Sequence, residues 1–247
     1  MMFSSTLHKL VTAPLIKPAR CILLVAFLLV GCGEGERSYF PFNENMVWGY
    51  RITILGHIIN LEDHRSYITN FAVVDSGDDP ALIRMRHDGE LFFYGETDKG
   101  LRLIGQGKNA TPPTSLAYVF AYPAAEGTTW NRKEKTFLLE RRFRVQQVPV
   151  SVEIDMAYRI EATNDTVSVP AGTFTDCVRI RGEGKVEHYI SNEFGTIHIA
   201  VEDVSWYAPG VGLVKTTRKE ISPEETGIDG EYIKELEFFD DGSWLWS

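Results

Sequence analysis

The chain has 247 residues, 44% hydrophobic and 24% charged, with 34 acidic against 25 basic side chains and a formal net charge of −9. That acidic balance, without any stripe of clustered Lys and Arg, excludes nucleic-acid binding, because phosphate contacts need concentrated positive charge. The length suffices for one sizeable domain, or two small ones, with a real hydrophobic core.

The first thirty-odd residues differ in kind from the rest. Met1 to Gly31 contains no acidic residue; Lys9, Lys17 and Arg20 precede the uncharged run from Cys21 to Val30. A basic segment followed by an apolar stretch about half the ~20 residues needed to span a bilayer reads as an export signal over residues 1–31. Its end, Leu29-Val30-Gly31-Cys32, resembles the bacterial lipobox, which makes Cys32 the expected lipidation site. The competing reading is an ordinary signal peptide with an incidental cysteine. Residues 32–38, opening with Gly33-Glu34-Gly35-Glu36, then form a lipidated tether to a β-rich domain over 39–247. Three of the 25 basic residues leave with the signal while all 34 acidic ones stay, so the remainder carries a net charge near −12. Electrostatic docking on anionic lipid is thereby disfavoured, and the covalent lipid must do the attaching. Of the three cysteines, Cys21 leaves, Cys32 is acylated and Cys177 stays alone, so no intramolecular disulfide is expected.

The periodicity downstream is that of strands. Trp48, Tyr50, Ile52 and Ile54 alternate with Val47, Gly49, Arg51 and Thr53, and the run Phe137 to Val150 is again strand-like. Turn signals recur at short intervals: Asp75 to Pro80, Asp88-Gly89 (a type I′ candidate), Thr97 to Gly100, Pro170-Ala171-Gly172, Pro209-Gly210 and Asp229-Gly230. They predict about a dozen strands in an all-β antiparallel meander: a curved sheet, partial barrel or sandwich. Phe40-Pro41 with Trp48 and Tyr122-Pro123 with Trp130 form a faint repeat, suggesting two related β-halves, 39–110 and 115–247.

Tyr39-Phe40-Pro41 with Trp48 and Tyr50, Val169 to Phe174 with Cys177, and Trp206 to Lys215 resemble the signatures of uncharacterised, mostly β bacterial envelope lipoproteins. The resemblance spans roughly Tyr39 to Lys219 and implies a half-barrel-like envelope domain with no catalytic residues to transfer. It also implies three acyl chains on Cys32, an effectively permanent anchor at ~0.8 kcal/mol per buried methylene. Gly33, where an aspartate would signal inner-membrane retention, implies the outer membrane, facing the periplasm.

Chemistry is sparse. Alternation groups Cys177 with Thr173, Thr175 and Arg179, and a thiolate there needs an imidazole such as His188, brought close if the chain turns at Gly182-Glu183-Gly184. A small buried hydrophobe is the stronger reading of Cys177. His57, His64, His87, His188 and His198 show no metal-ligand spacing, even beside Glu62-Asp63 or Glu187, so neither metal nor cofactor is expected. Glu153 with Asp155, or Glu183 with Glu187, share strand faces, yet solvated faces explain them as well as a glycosidase pair does. The aromatic surplus is the residual signal: Trp48, Trp130 and Trp206 are candidates to line an apolar pocket for a lipid, small molecule or envelope peptide, and Trp244 and Trp246 mark a contact site if exposed. The expected function is a membrane-anchored, non-catalytic binding or envelope-assembly module. The alternative is a periplasmic hydrolase whose site is assembled from distant residues.

Overall fold

Large side chains alternating at period two build strands here, because successive Cβ atoms point to opposite faces. The computed structural model describes residues 38–56, 62–75, 80–107, 118–143, 146–149, 151–192, 195–223 and 229–243. The signal segment, Cys32, His57, Trp244 and Trp246 lie outside the described residues. In chain order the strands are β1 (Val47–Gly56), β2 (Glu62–Asp75), β3 (Pro80–Arg86), β4 (Leu91–Thr97), β5 (Gly100–Gln106), β6 (Tyr118–Ala121) and β7 (Thr129–Lys135). They continue as β8 (Glu140–Phe143), β9 (Gln146–Pro149), β10 (Glu153–Val169), β11 (Gly172–Ser191), β12 (Gly195–Ala208), β13 (Gly212–Ile221) and β14 (Gly230–Asp240).

Twelve of these pair antiparallel in one sheet, ordered β6-β5-β4-β3-β2-β1-β14-β13-β12-β11-β10-β7, and β8 pairs with β9 apart from it. The sheet curls until its ends, β6 and β7, come together, so the protein is all-β and a nearly closed barrel. No backbone ladder joins β6 to β7 among the described residues. The seam is packed instead by Phe120, Ala121 and Trp130, which share one buried cluster.

The alternation expected in β1 holds: Trp48, Tyr50 and Ile52 are buried, while Arg51 faces outward and pairs with Glu235 at 2.9 Å. The Asp88-Gly89 hairpin differs from a type I′ turn, because only Gly89 takes positive φ (83°). Gly89 N–H donates to the Arg86 carbonyl and Arg86 N–H to that of Glu90, the three-residue arrangement with glycine last. Phe137 to Val150 is not one strand. Thr136 to Leu139 crosses beneath β14, with Leu138 so close to Gly230 that a Cβ there would lie 2.5 Å from the Leu138 Cβ. The β8–β9 pair then follows.

Two apolar clusters form the core. The larger joins Leu82, Leu101, Phe120, Met156, Ile160, Val178 and Ile180 across both arms of the sheet. The smaller gathers Met46, Trp48, Tyr50, Val167, Cys177, Ala208, Val214 and Leu236 near the β1 entry.

Candidate functional site

The inner wall of the barrel is not uniformly apolar. Cross-strand register sets Tyr232, Arg218, Asp203, Gly182, Tyr158 and Trp130 in one row from β14 to β7, and Lys234, Thr216 and Ser205 in the next. Arg132 and Glu134 share the inward parity of Trp130 on β7, as Glu220 shares that of Arg218 on β13.

Arg218 is the hub, with a side chain only 4% exposed. Its guanidinium donates to Glu220 Oε1 at 2.8 Å, pairs with Glu134, and lies 3.7 Å from Asp203. Tyr158 Oη donates to Glu134 Oε1 at 2.6 Å, and Arg132 Nε reaches the same oxygen at 2.7 Å. The Tyr158 ring stacks on Trp130, centroids 5.5 Å apart and planes at 12°. Gly182 makes this possible, since a Cβ there would overlap the Tyr158 ring and lie 2.7 Å from its Cδ1. Such covering of a strand glycine by a cross-strand aromatic pins register. Fully buried Glu220 also accepts from the backbone N–H groups of Phe137 (3.0 Å) and Leu138 (2.9 Å), tying the crossing segment to the wall.

The two other carboxylates titrate apart. Burial alone would raise Glu134, but Arg132 and Arg218 overcome it and hold its pKa at about 2. Burial, then the neighbouring Glu134 charge, push Asp203 up to about 6, against the pull of Arg218. A carboxyl whose folded pKa is raised binds its proton more tightly in the native state, so its ionisation costs stability as pH rises from its unfolded value through about 6. Asp203→Asn removes that cost. Relative to the unmodified protein, its unfolding free energy is expected to gain about 2 kcal/mol between pH 4 and pH 8, measured by urea denaturation at both. A constant difference across pH would rule out the raised Asp203 pKa.

A second group of cations has no such partners. The Lys234 ammonium sits 4.0 Å from the Tyr50 ring centroid, with no carboxylate among the described residues in ion-pair reach. Burial, then Arg84 and Arg86, lower its pKa to about 8. Arg84 lies over the rings of Phe40 (3.8 Å) and Trp48 (4.6 Å), donating to Asn70 Oδ1 at 2.7 Å and to the Pro41 carbonyl at 3.4 Å. It thus fastens the 40–43 segment to the wall.

The tryptophans do not converge. Trp48 is in the smaller cluster and donates to the Val211 carbonyl at 2.7 Å. Half-buried Trp206 packs against that same cluster and donates to Asp165 at 3.1 Å. Trp130 belongs to the larger one, its indole N–H buried without an acceptor among the described residues.

Cys177 is fully buried among Met46, Trp48, Val167 and Leu236, and burial, then Asp165 and Asp176, push its thiol up to about 11. The simple alternation fails here, because Asp176 takes φ 55° and bulges the strand, burying Cys177 as well as Val178. His188 is not folded back either. Gly182 to Gly184 is no turn but part of continuous β11, which leaves His188 eleven residues further along, about 35 Å at ~3.3 Å per residue. The outward carboxylates are solvated: Glu153 meets Lys133 at 2.7 Å and Glu187 meets His198 at 3.3 Å.

Residues 128–220 match the family model described as DUF3108-like. That span runs from β7 into β13 and holds Glu134, Asp203, Arg218 and Glu220, as well as the stretches around Cys177 and Trp206. Two solved structures are similar over 83% of this chain and 99% of theirs. One, from Bacteroides fragilis NCTC 9343, is described as exported with a YmcC-like fold (12% identity, TM-score 0.44). The other, from Parabacteroides distasonis ATCC 8503, is described as a lipoprotein (14% identity, TM-score 0.38). No curated protein matches the chain.

Proposed function

We propose that this is an outer-membrane lipoprotein, acylated on Cys32 and facing the periplasm, whose barrel is a non-catalytic binding module. The observation that carries the binding part is the half-open inner wall. Tyr94, Asp203, Ser205, Thr216, Tyr232 and Lys234 all point inward yet each keeps accessible surface, which supports an inner wall not fully covered by its own side chains. The acceptor-less Trp130 N–H adds a donor that a guest would satisfy.

The anchor reading rests on the signal and the Leu29-Val30-Gly31-Cys32 box. Six residue steps separate Cys32 from Ser38, a reach of at most ~20 Å. The Ser38 carbonyl accepts the Gly210 N–H at 2.9 Å, so Ser38 is held at the β12–β13 turn. Cys32→Ser is expected to move the protein from the membrane pellet to the soluble fraction on cell fractionation. Unchanged pelleting would overturn the anchor. For the module, native mass spectrometry of the purified full chain should show a retained small molecule or a saturable one from a metabolite panel.

The hydrolase alternative keeps one supporting observation, the Glu134–Asp203 pair with pKa values held apart. Its thiol version loses its support with Cys177 buried and His188 distant. Hydrolysis of glycoside or ester reporters near pH 5, abolished in Asp203→Asn, would establish it. Glu134 is already committed to Arg132, Arg218 and Tyr158, so binding remains the better account.

A further inference from the structure

Lys234 poses a physical problem. Its ammonium is desolvated by the protein around it, yet the residue keeps accessible surface. Its inward position assigns that surface to space inside the barrel rather than to the outer face. A desolvated cation is costly unless an anion accompanies it. Among the described residues the polar groups around it supply none. Across the ladders stand Ile52 of β1 and Thr216 of β13, and beyond Thr216 comes Ser205 of β12, their hydroxyls 2.9 Å apart. From β3, Arg84 and Arg86 act on Lys234, and both are cationic. Tyr50 and Tyr232 are the titratable neighbours on β1 and β14, and burial raises both, keeping them neutral. Of the wall's carboxylates, Glu134 and Glu220 are engaged at Arg218 and Arg132, while Asp203 lies 3.7 Å from Arg218 and accepts from the Ser205 hydroxyl at 3.1 Å. Asp88 and Glu90 pair with Arg86 at the hairpin.

We infer that the half-open wall around Lys234 is a binding site for an oxyanion, a carboxylate or phosphate, held by the ammonium beside the Tyr50 ring. The inference rests on the reading of the barrel as a binding module and gives its guest a chemistry. The oxyanion is either free or the head group of a molecule with an apolar body, for which the half-buried Tyr94 and Tyr232 rings supply walls.

The test uses the full chain in an uncharged maltoside detergent, titrated calorimetrically with inorganic phosphate and, separately, with octanoate. Saturable binding of both assigns a free oxyanion; binding of octanoate alone assigns a head group on an apolar body. Lys234→Met is expected to weaken binding at least tenfold and Lys234→Arg by less than about threefold. Wild-type affinity should fall by up to tenfold per pH unit above about 8, as the ammonium loses its proton. Lys234→Met should melt no lower than wild type, since it removes an unpaired buried charge, and this melt separates lost binding from lost folding. Binding of neither probe, or unchanged affinity in folded Lys234→Met, would overturn the oxyanion site. A neutral molecule retained in native mass spectrometry would sink this proposal and leave the binding module standing, whereas membrane retention of Cys32→Ser bears on the anchor alone.

Discussion

Glu220→Ala is expected to lower the unfolding free energy by about 3–5 kcal/mol, the range for breaking a buried ion pair from one side. The Glu220 side chain is fully buried and serves two elements at once. It neutralises Arg218, and it accepts the backbone N–H groups of Phe137 and Leu138 where the chain crosses beneath the barrel. Truncation leaves Arg218 sharing Glu134 and Asp203, and takes the acceptor from two backbone amide donors. Glu220→Gln keeps a carbonyl acceptor for the amides and loses only the charge, so it should cost clearly less than the alanine variant. Urea denaturation of the three proteins at pH 7 measures the order. If glutamine and alanine were equally costly, the amide clamp would contribute nothing, and Phe137 and Leu138 would be held by packing alone.

Gly182→Ala should be nearly as damaging through a different cause. The added methyl would overlap the Tyr158 ring, which cannot slide away because Trp130 stacks on its face and Glu134 and Arg132 hold its hydroxyl. Overpacking of a fixed neighbour costs about 1–3 kcal/mol, and the displaced hydroxyl withdraws one hydrogen bond from a buried carboxylate. We expect a loss of about 3 kcal/mol, together with a changed near-ultraviolet circular dichroism signal from the Trp130–Tyr158 stack. Gly95→Ala is the control, because its methyl would meet only Ile104 at 3.4 Å. A Gly182→Ala protein as stable as that control would show that Tyr158 is free to move.

The barrel was legible in the sequence because strands such as β1 and β10 repeat inward bulk at period two, as Trp48-Tyr50-Ile52 and Ile154-Met156-Tyr158-Ile160 do. The polar wall was legible in principle as well. Arg132 and Glu134 follow Trp130 at the same parity, and Asp203 and Ser205 fall between Val201 and Tyr207, charges where the pattern asks for apolar bulk. Spacing drew attention instead to Glu153, Asp155, Glu183 and Glu187, which share a parity but face water. What sequence could not supply was closure. Lys234 faces Thr216 only through the β13–β14 register, and Arg84 reaches Trp48 only because β3 and β1 curl toward each other. Local rules also failed where one residue bends the backbone: the positive φ of Asp176 turned Cys177 inward, and glycines at 182 and 184 were seats for Tyr158 and Met156 rather than a turn.

Among the described residues β6 meets β7 without a ladder, and this has a mechanical meaning. In a hydrogen-bonded hoop the girth is quantised: it changes only if a whole ladder is broken or slips register. This wall is a strip whose ends lean on each other through Phe120, Ala121 and Trp130, so its girth is adjustable by repacking a few rings. Widening the barrel there would break no strand pairing among the described residues.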